Sequence, residues 1–164
     1  MDFSSFNDSP AAAAAAVLRP CVDIDRWVEE IVALRPFANR GELIDFAGRA
    51  AAPWTTAEVD AALAHHPRIG ERAAGTSAEA DMSRKEQSGV VSSAETQAAL
   101  EAGNRAYEEK FDRVFLIRAA GRSAEDILEQ LQKRLHNSPD EEVAVVAQQL
   151  REIAILRLEG VIEA

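Results

Sequence analysis

Apolar residues recur along most of this chain at the three- and four-residue spacing of a helix face, while strand-like alternation is scarce. Helix starts are marked by a hydroxyl followed three residues later by a carboxylate, as in Thr55-Thr56-Ala57-Glu58, Ser92-Ser93-Ala94-Glu95 and Ser123-Ala124-Glu125-Asp126. Ser138-Pro139-Asp140-Glu141 adds proline at the first helical position, where its missing N–H costs nothing. The pattern predicts helices over Ala11–Arg19, Asp23–Ala33, Arg40–Ala52 and Thr56–His65. A glycine- and alanine-rich loop follows over Ile69–Ala80, then a helix from Ser83 or Ser92 through Glu109. Val114-Phe115-Leu116-Ile117 reads as a short apolar, extended segment, and helices over Ala124–Leu135 and Asp140–Glu159 finish the chain.

No internal repeat and no dividing linker interrupts this order. With 164 residues, 47% hydrophobic and 28% charged, the chain fits one domain spanning residues 1–164. The expected fold is all-α, a single-domain bundle of about seven to eight helices.

Charge narrows the function classes. A net charge of −10 and a pI near 4.8 argue against duplex nucleic acid and against an anionic membrane surface. An anionic small molecule remains open, provided a few local arginines outweigh the global field. Ala11–Leu18 is apolar but too short to span a bilayer, and Asp2 and Asp8 before it are the wrong flank for a signal peptide. The single cysteine, Cys21, fits a reducing compartment and reads as a small buried hydrophobe. A cytoplasmic protein is expected. No metal-ligand spacing, Walker loop or dinucleotide fingerprint occurs, so neither a metal nor a nucleotide cofactor is indicated.

Three places carry residue types suited to chemistry. His66, in Ala64-His65-His66-Pro67-Arg68-Ile69-Gly70, sits at a helix end that Pro67 enforces. An imidazole held there suits proton transfer near neutral pH. It also suits simple interaction with the carbonyl end of its own helix. Ser83, Glu86 and Gln87 share one helix face and could form a polar wall for a heterocycle. The same S-x-x-E spacing is a capping box, and spacing alone favours that reading. Finally, Arg157 continues the apolar stripe Val143, Val146, Leu150 and Ile153. It needs an anion there, or it snorkels to solvent near the helix end.

Taken in order, Phe6-Asn7, Cys21 with Arg26-Trp27, Arg35-Pro36-Phe37, His66-Pro67-Arg68-Ile69-Gly70, Ser83-x-x-Glu86-Gln87, Asn104-x-x-Tyr107-x-x-Lys110-Phe111 and Leu156-Arg157-Leu158 resemble the 2-oxo-4-hydroxy-4-carboxy-5-ureidoimidazoline (OHCU) decarboxylases over nearly the whole chain. The resemblance implies an all-helical, often homodimeric carboxy-lyase of urate breakdown that works without metal or cofactor and yields S-allantoin. It implies His66 as the acid/base residue and Glu86 as its partner. Ser83 and Gln87 would bind the substrate, Pro67 and the backbone of Leu116, Ile117, Arg118, Ala119 and Ala120 would line the pocket, and Arg157 would anchor the carboxylate. One departure stands out. The family carries a glycine soon after the Lys-Phe pair, whereas Asp112-Arg113-Val114 follows Phe111 here.

Two other readings stay open on sequence grounds. The chain could be a non-enzymatic, acidic helical interaction domain, or a lyase or isomerase acting on a different ureide. Thermal stabilisation by allantoin-like ligands separates a ureide site from a bare interaction surface.

Overall fold

The capping serines and threonines do set helix starts. Thr55 accepts from the Glu58 N–H at 3.1 Å while Glu58 accepts from the Thr55 N–H at 2.9 Å, a reciprocal box. Ser123 and Asp126 form the same arrangement, and Ser138 accepts from the Glu141 N–H at 3.2 Å. In the tract read as Ser92-Ser93, Ser93 is the cap, and it accepts from the Thr96 N–H.

The computed structural model describes residues 1–69, 77–88 and 93–164. Among the described residues there are nine helices. They are α1 (Phe3–Asp8), α2 (Ala11–Leu18), α3 (Asp25–Leu34), α4 (Arg40–Ala51), α5 (Thr56–Leu63), α6 (Ala78–Gln87), α7 (Ala94–Phe111), α8 (Ala124–Arg134) and α9 (Pro139–Val161). The described residues hold no strand beyond an isolated Asp2–Glu163 bridge, so the all-α expectation holds. No helix among them is long and apolar enough to cross a membrane.

The helix count exceeds the expected one for two reasons. Residues 3–8 form a helix too short to show periodicity, fixed by Asp2, whose side chain accepts from the Ser5 N–H. The expected fifth helix is two, α6 and α7, and α6 begins at Ala78 inside the stretch read as loop. The remainder of that stretch, Gly70 to Thr76, lies outside the described residues.

The chain divides into two compact units. Residues Met1–Ala62 with Arg151–Ala164 form the first. Its core gathers Phe6, Leu18, Trp27, Ile31, Leu43 and Leu158, all withdrawn from solvent. Trp27 packs edge-on to Trp54 at 6.2 Å and donates its indole N–H to the Ala47 carbonyl, linking α3 to α4. The run Ala11–Leu18 buries only Ala14 and Leu18, one face four residues apart. Arg35 donates to the carbonyls of Phe6 and Ser9 at 2.6 and 2.9 Å, satisfying chain ends around α1. Asn7 exchanges two hydrogen bonds with the backbone of Phe37. The paired Arg26 guanidinium and the Thr55 N–H hold the Glu58 carboxyl at about 2. That depressed value contributes stability above the ordinary carboxylate range, lost as pH falls through the folded value.

Residues Leu63–Leu150 form the second unit. Its core packs Leu100 and Tyr107 of α7 against Ile127 and Leu131 of α8, together with Ile69, Phe115 and Ile117. Gly103 permits that approach, since a Cβ there would stand 2.5 Å from Leu131 Cδ2. α7 ends on Asp112 in the left-handed region, φ 53°, with its N–H bonded to the Glu108 carbonyl. Asp112 therefore occupies a conformation that glycine supplies without steric cost.

Candidate functional site

His66 lies three residues beyond the end of α5 rather than on the helix itself. Its backbone N–H closes onto the Leu63 carbonyl at 3.0 Å, and Pro67 then turns the chain away. His66 and Pro67 are half-buried, His65 and Arg68 exposed, and Ile69 buried in the core of the second unit. Thus the imidazole stands on a turn anchored just after it. Gly70 and Glu71 lie outside the described residues.

The capping reading of Ser83 does not survive. α6 begins at Ala78 with Ser77 as its cap, accepting from the Ala80 N–H at 3.1 Å. Ser83 is therefore in the middle of a helix, and it is only 3% exposed. Glu86 and Gln87 flank it one turn on and are half-buried. Ser83, Glu86 and Gln87 therefore share one helix face, with the hydroxyl buried. Arg84, on the same helix, pairs with Asp81.

Residues 114–119 are neither helix nor strand, and Phe115, Leu116, Ile117 and Ala119 are buried. Several backbone groups of this segment are already engaged. The Leu116 carbonyl accepts from Arg134 Nη1 at 2.8 Å, and the Arg118 N–H donates to Gln149 at 2.9 Å. Arg118 folds its own guanidinium back onto the Ala120 carbonyl at 2.7 Å, and the Ala119 carbonyl accepts from the Arg122 N–H.

Behind this segment sits a network that the sequence reading missed. Arg134 donates from Nε and Nη2 to Glu142 Oε1 at 2.8 and 2.6 Å. The Tyr107 hydroxyl donates to the same oxygen at 2.6 Å, and Asn137 donates to Oε2 at 3.0 Å. All of Tyr107, Arg134 and Glu142 are buried, and the guanidinium lies 4.5 Å from the Phe115 ring centroid. Burial, then the hydrogen bond to Glu142, pushes the Tyr107 hydroxyl well above its ordinary range. In sequence, Arg134 in a last helical turn and Glu142 in a first one look like ordinary complements to helix dipoles. Nothing in their spacing announces a buried pair.

α7 also reaches the histidine turn. Asn104 Nδ2 donates to the Ile69 carbonyl at 3.1 Å, and Glu108 accepts from Arg68 through both Nε and Nη2. A cavity of about 320 Å³ opens among Arg68, Ile69, Gln97, Glu101, Asn104, Arg105 and Glu108. Among the described residues, no cluster of three or more His, Cys, Asp or Glu side chains could hold a metal ion.

Arg157 belongs to the first unit, on the stripe that the sequence showed. It is 4% exposed and donates from Nη1 to the Pro20 carbonyl at 3.1 Å. Burial of that degree rules out the snorkelling alternative.

The sequence matches the OHCU decarboxylase family over residues 7–159. No curated protein matches it in sequence. Two solved structures share its fold. A crystal structure of an OHCU decarboxylase in the presence of (S)-allantoin superimposes with a TM-score of 0.73 at 24% identity, covering 88% of this chain and 96% of that one. A crystal structure of an (S)-allantoin synthase superimposes with a TM-score of 0.73 at 16% identity, covering 99% of this chain and 54% of that one. With a family match over nearly its whole length, the chain belongs to the OHCU decarboxylase family.

Proposed function

We propose that this carboxy-lyase, acting as one domain over residues 1–164, removes CO2 from 2-oxo-4-hydroxy-4-carboxy-5-ureidoimidazoline to give S-allantoin in purine breakdown, with His66 as the acid/base residue. The observation that carries the assignment of the site is the start of α6 at Ala78. It takes Ser83 out of a capping role and leaves a buried hydroxyl, Glu86 and Gln87 on one face, which supports the roles that the family resemblance implies for them.

The substrate carries a hydroxyl and a carboxylate on one ring carbon beside a C=N bond. When the carbon–carboxylate bond breaks, CO2 leaves and its electron pair enters the ring as a C=C bond. The C=N electrons move onto nitrogen, which takes up a proton. Transfer of a proton to the neighbouring ring carbon, with loss of the hydroxyl proton to form the carbonyl, completes allantoin, for a net uptake of one proton. The substrate is its own electron sink, so the reaction asks the protein for orientation and proton handling rather than for a cofactor.

His66, with Glu86 beside it in role, takes the hydroxyl proton and delivers a proton to one face of the ring carbon. Ser83 and Gln87 hold the ring and ureido groups. Pro67 shapes the pocket mouth. The backbone of Leu116, Ile117, Arg118, Ala119 and Ala120 lines the pocket, a role assigned on the family resemblance. Arg157 is assigned to the substrate carboxylate, on the family resemblance and on its burial as a cation. A homodimer and a cytoplasmic location complete the reading, the latter supported by a single buried free cysteine.

Freshly generated substrate, followed by circular dichroism as allantoin appears, tests this. A fast rise of one enantiomer that drops about 10²–10⁴-fold in His66→Ala supports it. A rate equal to the spontaneous one, with racemic product, overturns it. Arg157→Ala should raise KM most, and unchanged kcat and KM would remove Arg157 from the site.

A further inference from the structure

α7 does more than fill the core of its unit. Asn104 and Glu108 stand four residues apart on it, one turn along the same face. Each grips a different residue of the turn that carries His66. Glu108 takes Arg68 through two parallel hydrogen bonds, the geometry in which a guanidinium and a carboxylate fix each other's orientation. Asn104 donates to the carbonyl of the next residue, Ile69, whose own side chain is buried in the core beside Leu100 and Tyr107. On the other side, the His66 N–H is bonded to Leu63 at the end of α5. The imidazole therefore hangs from a short stretch held at both ends, with Pro67 removing backbone freedom in between.

Stability alone does not account for Asn104. It is 5% exposed, and its Oδ1 is buried with no hydrogen-bond partner among the described residues. An orphaned buried acceptor costs at least as much as one neutral hydrogen bond returns, so an apolar residue of similar volume would suit the core as well. What an apolar residue cannot supply is the donor at the Ile69 carbonyl. We infer that Asn104 and Glu108 are positioning residues, a two-point clamp from α7 that sets the orientation of His66 for proton transfer. This rests on the assignment of His66 as the acid/base residue, and it adds a reason for the Asn104 of the sequence motif.

The test uses the full chain and two readouts. The first is steady-state decarboxylation of freshly generated substrate. The second is the imidazole resonance of His66, followed by NMR through a pH titration without substrate and assigned with His66→Gln among the three histidines. Asn104→Ala should lower kcat ~10-fold or more while KM stays within about twofold, because misorientation of an acid/base group is felt in the reaction step. The His66 resonance should shift and its titration midpoint should move. Arg68→Glu and Glu108→Arg should each reproduce a weaker form of this, and the double variant, which restores the pair reversed, should recover most of kcat and of the His66 signal. A lowered melting temperature with kcat and the His66 resonance unchanged would mean a merely structural role and overturn the proposal. Should Asn104→Ala fail to fold, the half-exposed Arg68–Glu108 exchange decides by the same two readouts. If the wild-type chain does not decarboxylate, the function fails, and the resonance still reports whether the clamp orients His66.

Discussion

Two non-helical stretches of the Leu63–Leu150 unit carry candidate site residues, and they are held in opposite ways. The His66 turn is held from its rim. Its charged contact, Arg68 with Glu108, is a half-exposed pair, 46% and 27% exposed, supplemented by the buried amide of Asn104. The Phe115–Ala120 segment is held from behind by Arg134 and Glu142, whose side chains are 6% and 1% exposed. Exposed pairs contribute little to stability and are screened by salt. Buried pairs are nearly indifferent when both members are replaced together, but costly when one is left alone. The contrast separates two tasks. A rim clamp can orient a side chain with little effect on folding, whereas the buried network makes the placement of Leu116 part of folding itself.

The largest expected effect comes from breaking the buried side. Glu142→Ala leaves the Arg134 charge uncompensated in the core, and unfolding in urea should show a loss of about 3–5 kcal/mol. Replacing the whole group (Arg134→Met, Glu142→Leu, Tyr107→Phe) sharpens the point. Stability should return to the wild-type value or exceed it, while decarboxylation stays low because the Leu116 carbonyl has lost its donor. Full activity in that triple variant would show that the network serves folding only.

Tyr107→Phe comes next, at about 1.5–3 kcal/mol for a buried hydrogen bond to a charged acceptor. It also carries a pH signature. The Tyr107 hydroxyl ionises well above its ordinary 10.0 when folded, because it is buried and bonded to Glu142. The unfolded chain therefore releases this proton first, so the contribution is complete below pH 10 and declines as pH rises further. Melting measured across the alkaline range should lose this part of its slope in Tyr107→Phe.

On the rim, Arg68→Ala should change stability by less than about 1 kcal/mol, with a difference that shrinks as salt is added. A larger, salt-insensitive loss would show that the rim pair behaves like the buried one. The smallest expected effect is a gain. Asp112→Gly relieves an L-residue of the left-handed conformation at the end of α7 and should raise stability by up to about 1 kcal/mol, read by thermal melting.

Composition, periodicity and caps determined a good deal by themselves. They fixed the helical class, most helix starts, the scarcity of strand-like alternation and the unusual place of Arg157, because capping and amphipathic spacing are local properties of a few neighbouring residues. The order of motifs pointed to the family and to His66, Ser83, Glu86 and Gln87. Local spacing could not decide whether Ser83 caps a helix or stands inside one, since both uses need the same S-x-x-E. Only the start of α6 at Ala78 settled it. Nor could spacing join Arg134 to Glu142 and Leu116, or Asn104 to Ile69, which lies 35 residues away in sequence. Those contacts come from packing α7, α8 and the start of α9 around one core, and the energy of a buried charge or amide depends on partners that the chain brings together only when it folds.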